Sequence, residues 1–176
     1  RWWRFVGELV MEMQRIVANL FGAWFQIGRQ FPSTTLDAIA GTVAQGEATH
    51  RGELRVAIES RLPLSAVAAG VTARDRAAML FSHLRVWDTE DNSGVLLYVL
   101  LAEHRIEIVA DRGIARVVSP SEWDAITAHM RDAFAQGRFR EAVQTGVAEA
   151  GALLARHFPG DGKPRENQLP DRPLVL

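Results

Sequence analysis

The sequence predicts an α/β fold, a three-layer α/β/α sandwich on a small mixed sheet, with an apolar helix at its N-terminal end. Three observations carry this. Residues 53–60 alternate Leu54, Val56 and Ile58 with Arg55, Ala57 and Glu59, the two-residue period of a half-buried strand. Residues 95–102 form an unbroken apolar run, as expected of a strand covered on both faces. A segment of helical period lies between them, so the three together make a βαβ unit whose strands run parallel with a right-handed connection.

In chain order, residues 1–31 place Phe5, Leu9, Met13, Ile16, Leu20 and Trp24 at helical spacing, with Arg4, Glu8, Glu12 and Arg15 as a narrow polar stripe. One long helix is expected, stopped by Pro32. Ser33 and Thr34 then cap a second helix, with Asp37 in its first turn and Leu36, Ile39 and Val43 facing inward, ending before His50. The first strand and a loop around Pro63 and Gly70 follow. Thr72 and Asp75 have the spacing of a capping box, heading a helix with inner face Ala77, Leu80, Phe81 and Leu84 that ends near Trp87. The turn-rich run 88–94 feeds the central strand, and Glu103, His104 and Arg105 turn the chain back into 106–111 as an antiparallel hairpin. Ser119, Pro120, Ser121 and Glu122 announce a helix reaching Gln136, and a last helix spans 139–157 with Val143, Val147 and Leu154 inward. Pro159, Pro164, Pro170 and Pro173 make the remainder an extended or mobile strap. The chain therefore divides into an apolar helix (1–32), an α/β domain (33–158) and a Pro-rich tail (159–176).

Composition narrows the chemistry. A formal net charge of -1 and a pI near 6.6 lack the broad positive field that nucleic-acid binding needs, so no nucleic-acid partner is expected. The absence of cysteine excludes thiolate nucleophiles and zinc-thiolate sites. Lys163 is the sole lysine and sits in the tail, which removes Schiff-base and P-loop lysine chemistry from the domain. No run approaches the roughly 20 apolar residues of a membrane span, so no transmembrane helix is expected in this chain. The five histidines contain no pair at i, i+4 for a metal, and no nucleotide-binding or nucleophile-elbow motif occurs, so no organic cofactor is expected.

One cluster suggests chemistry. The hairpin returns the end of the third strand to the edge from which the second departs, so Asp111 should meet Asp88, Glu90, Asp91 and Asn92, with His50 and Glu53 near by. Carboxylates and an amide on a loop are the hard oxygen ligands that calcium or magnesium prefers, and a bound cation polarises a phosphoryl oxygen or activates water. The same residue types also form turns and caps, with Arg85, Arg112 and Arg116 neutralising their charge. The loop is not an EF-hand, which needs Gly and Glu where this chain has Ser93 and Val99.

Residues 80–114, with Asp88 and Asn92 before Gly-Val-Leu-Leu at 94–97 and Gly113-Ile114 after the hairpin, together with Phe134, Gly137 and Phe139, resemble the TPM-domain family of bacteria and thylakoid lumen. The resemblance covers roughly 34–157. It implies an α/β/α sandwich, and it implies the activities linked to family members: divalent-cation binding and acid phosphatase. Where the family usually has Gly-x-Gly-Leu-Glu and a following Asp, this chain has Asp111-Arg112-Gly113-Ile114-Ala115 and then Ser119-Pro120, and Ser93 replaces the second of a usual Asn pair. The expectation is a bacterial, envelope-associated interaction module holding calcium or magnesium at Asp88, Glu90, Asp91, Asn92 and Asp111, with a metal-dependent acid phosphatase as the alternative. Trp2, Trp3, Phe5, Trp24 and Phe25 point to a protein partner or self-association through the N-terminal helix, or to peripheral membrane contact.

Overall fold

The computed structural model describes residues 2–21, 27–162 and 165–176. Its centre is a mixed sheet of order β3-β2-β1-β4, in which β1 (Glu53–Glu59) and β2 (Gly94–Leu100) run parallel and β3 (Arg105–Ala110) returns antiparallel to β2. Leu54, Val56, Ile58, Val95, Leu97 and Val99 join one apolar core, while Ala57, Leu96, Tyr98 and Leu100 join another on the opposite face. This alternation is the pleat of the strands, with each face covered by helices. The first face carries α3 (Ser33–Glu47), α7 (Pro120–Ala135) and α8 (Phe139–His157); the second carries α4 (Leu64–Ala68) and α5 (Ala73–His83).

Local signals placed most elements. The capping box of Thr72 and Asp75 opens α5, and that of Ser119 and Glu122 opens α7 with Pro120 at its first position. The two glycines that matter for the edge of the sheet are Gly94 and Gly113. A Cβ on Gly94 would lie 1.8 Å from the Val86 carbonyl oxygen, and one on Gly113 would lie 2.4 Å from that of Asp91, so both positions exist to let backbones touch.

Several expectations are corrected. Of the helix expected over 1–31, the described residues carry α1 (Trp2–Phe21) and α2 (Ile27–Gln30), and Trp24 and Phe25 lie outside the described residues. Pro32, not Ser33 or Thr34, occupies the cap position of α3, and no side chain caps it. Strand β1 is buried along its whole length rather than on one face. Arg55 is covered because its Nη1 donates to the carbonyl oxygens of Pro170 and Arg172 in the tail, and Glu59 because it pairs with Arg76 and Tyr98. The loop around Pro63 contains α4, the hairpin runs directly into α6 (Arg112–Ala115), and the tail supplies β4 (Leu174–Val175), parallel to β1. Leu169 is buried in the second core, which anchors the tail to the domain. No helix is long and apolar enough to cross a membrane among the described residues.

Candidate functional site

The edge where β1 and β2 begin is where the chain gathers its ionisable loops. Backbone hydrogen bonds draw them together: Glu53 N–H donates to Ser93 O (3.1 Å), Asp111 N–H to Gly94 O (2.8 Å) and Gly113 N–H to Asn92 O (2.9 Å). Asn92 takes a left-handed conformation (φ 50°), which asparagine tolerates better than most residues. Asp111 thus returns beside the loop 88–93, the neighbourhood the hairpin argument anticipates.

The side chains of that loop are held mostly by arginines. Asp88 pairs with Arg85 at 2.7 Å. Asp91 pairs with Arg165 at 2.9 Å and Arg51 at 3.6 Å, and Asn92 Oδ1 accepts from Arg112 Nε at 2.9 Å. Glu90 receives the Gln168 side chain only through its backbone, its N–H donating to Gln168 Oε1 at 2.9 Å. Asp111 Oδ1 accepts from the Arg112 N–H, whereas Asp111 Oδ2 is buried without a hydrogen-bond partner. Of the neutralising arginines expected from sequence, Arg85 and Arg112 serve the loop. Among the described residues, no group of three or more acidic or histidine side chains is arranged to hold a metal ion.

Beside this loop lies a cleft of about 540 Å³ between the end of α3, the turn into β1 and the tail, lined by Glu47, His50, Glu53, Arg165 and Asp171 among others. Glu47 Oε1 accepts from the Leu54 N–H at 2.8 Å, and Glu53 Oε2 accepts from the N–H groups of Gln168 and Leu169, each at 3.2 Å. Burial pushes the Glu47 carboxyl up to about 8, with the nearby Glu53 and Asp171 charges adding to the rise. Burial also raises Glu53 and lowers His50, whose Nδ1 has no hydrogen-bond partner. Arg51 closes one wall, its guanidinium 4.1 Å from the centroid of the Phe158 ring and its Nε donating to Pro159 O. Glu47, Arg51, Arg165 and Gln168 were missed in the sequence because no local spacing links them to the loop; tertiary packing alone brings them there.

No curated protein matches the chain. The structure is similar to the NMR structure of the BA42 protein from the psychrophilic bacterium Bizionia argentinensis, with 28% identity over 82% of this chain and 94% of that one and a TM-score of 0.72. The family model of the TPM domain matches residues 30–153, which take in α3 through most of α8 and every residue of the loop edge from Asp88 to Asp111. This chain belongs to the TPM-domain family.

Proposed function

We propose that this TPM domain is a binding module whose working face is the arginine-latched edge, and that calcium or magnesium binds there at Asp111 in competition with the arginines. The observation that supports it is Asp111 Oδ2, a buried carboxylate oxygen with no hydrogen bond. Such an oxygen is unfavourable unless something positive or protonated meets it, and a hard divalent cation is its natural complement. Asp88, Asp91 and Asn92 do not form a cage as they stand, because a guanidinium holds each one. They become ligands only when those arginines swing away. Arg165 belongs to the tail, so exchange at Asp91 couples the cation to the seating of the C-terminal segment. A bound cation would present positive charge to the oxygen of a partner or substrate.

Thermal melts in calcium or magnesium at millimolar concentration test this, because a ligand of the folded state raises the melting temperature. The wild type is expected to gain stability, Asp111→Asn to lose the response, and Arg112→Ala to respond at lower metal concentration. No shift in the wild type overturns the cation reading. Hydrolysis of a generic phosphate ester that disappears in Asp88→Ala would replace the module with the acid phosphatase.

A further inference from the structure

The cleft between the end of α3, the turn into β1 and the tail collects three carboxylates that the loop edge does not use, those of Glu47, Glu53 and Asp171. The protein fixes one oxygen of each. Glu47 Oε1 accepts from the Leu54 N–H, Glu53 Oε2 from the N–H groups of Gln168 and Leu169, and Asp171 Oδ1 from the Asn167 side-chain amide. Among the described residues, no hydrogen bond or ion pair reaches the other oxygen of any of the three.

The cations near this cluster are engaged elsewhere. Arg51 and Arg165 pair with Asp91, and Arg165 also pairs with Asp161. Arg55, which faces Asp171, gives Nη1 to the carbonyl oxygens of Pro170 and Arg172. His50 lines the same cleft and is 4% exposed, and burial holds its proton affinity below the usual imidazole range, so the ring is neutral at pH 7. A neutral imidazole keeps one nitrogen as an acceptor, and His50 Nδ1 is buried without a hydrogen-bond partner. Such an atom beside three like charges is costly, and the complement of the whole set is a cation that donates hydrogen bonds.

Reach and donor number select the kind of cation. Calcium or magnesium draws its oxygens to within about 2.0–2.6 Å of one point. No group of three acidic or histidine side chains among the described residues is arranged to do so. A primary ammonium has three donors and bonds at about 2.7–3.2 Å, so it spans carboxylates that stand further apart. The volume of about 540 Å³ lies within the roughly 300–1,000 Å³ of small-molecule sites, and Ala44 and Ala48 of α3 offer apolar wall to a carbon chain. We propose that this cleft binds a primary alkylammonium, a linear di- or polyamine, whose charged head is held by Glu47, Glu53 and Asp171 against His50. The site uses none of Asp88, Asp91, Asn92 or Asp111 and is separate from the divalent-cation reading. It also has a proton signature. In the free protein burial, aided by the Glu53 and Asp171 charges, holds the Glu47 carboxyl at about 8, and an arriving ammonium replaces its proton. Binding at pH 7 therefore releases about one proton, and affinity rises about tenfold between pH 7 and pH 9, where an alkylamine is still charged.

Isothermal titration calorimetry of the full chain with cadaverine, repeated in buffers of different ionisation enthalpy, tests this. Saturable binding with proton release is expected for the wild type. Glu47→Gln and Asp171→Asn should keep the wild-type circular dichroism and each bind about tenfold more weakly or worse, and Glu47→Gln should also lose the proton release. Asp111→Asn should bind cadaverine as the wild type does, whatever becomes of its response to calcium or magnesium. Nα-acetyl-lysine amide carries the same ammonium on a peptide-like body and should bind less tightly than cadaverine. No saturable heat with cadaverine overturns the inference, as does undiminished binding in both Glu47→Gln and Asp171→Asn. Loss of binding in Asp111→Asn moves the amine to the loop edge and overturns it, and tighter binding of the lysine amide assigns the cleft to a partner's lysine and overturns it too.

Discussion

The two ends of β1 treat buried charge in opposite ways. At its C-terminal end Glu59 accepts from Arg76 Nε (2.9 Å), Arg76 Nη2 (2.8 Å) and the Tyr98 hydroxyl (2.7 Å). Each group in this trio has a partner, and burial together with the neighbouring Glu59 carboxylate holds the Tyr98 hydroxyl protonated well above the usual phenol range. At its N-terminal end Glu47 and Glu53 face Asp171 across a cleft, and His50 Nδ1 and Asp111 Oδ2 are buried without a hydrogen bond. A satisfied network locks a core, whereas an incompletely satisfied one is stored at the expense of stability, and such sites collect where proteins bind and react. The unsatisfied groups lie at the end with β1's first residue, where the proposed binding face is, and the fully partnered network lies at the other.

The largest effect that would break the comparison is expected at the satisfied end. Arg76→Met leaves Glu59 buried without its cation and should cost about 3–5 kcal/mol in urea denaturation. A loss much smaller than this would show that Glu59 relaxes toward solvent, and the two ends would no longer differ in kind.

The second prediction uses pH. The folded-state carboxyl of Glu47 lies at about 8, above its ordinary 4.5, so the folded protein binds a proton more tightly than the unfolded chain. Its contribution to stability is fully present below about pH 4.5 and is lost progressively as pH rises through 8. Glu47→Gln should therefore flatten the stability profile between these limits and exceed the wild type near pH 9. Parallel profiles for the two proteins would mean that Glu47 is charged in the folded state and the cleft is not strained.

The smallest effect is expected at the rim. Arg165→Ala removes a solvent-screened pair with Asp91, beside one with Asp161, and should leave the urea midpoint almost unchanged. A larger loss would show that the tail is held by this pair, and not by Leu169 in the core, Arg55 beneath it and the β4 ladder.

Much of the fold was legible because its signals are local. The capping boxes at Thr72 and Ser119, the apolar run of β2 and the tight turn at His104 each depend on residues within a few positions of one another. The return of Asp111 to the loop 88–93 was legible for the same reason, since a parallel crossover followed by a hairpin leaves one geometry. The burial of Arg55 and Glu59 was not legible. Alternation with Leu54, Val56 and Ile58 marks them as the wet face of a strand, and only the tail and α5 folding over them removes the water. The inward polar side of α1 was hidden likewise, because Glu103, the partner of Arg15, lies 88 residues away.

The sequence by itself determined the strands, most of the helices and their order, because hydrophobic period and cap chemistry act over a few residues and need no distant partner. Only the tertiary structure decided which charges are buried, which arginine meets which acid and which face of α1 stays open. Those outcomes turn on long-range packing, and packing sets the local dielectric that gives an ion pair or an exposed leucine its energetic meaning.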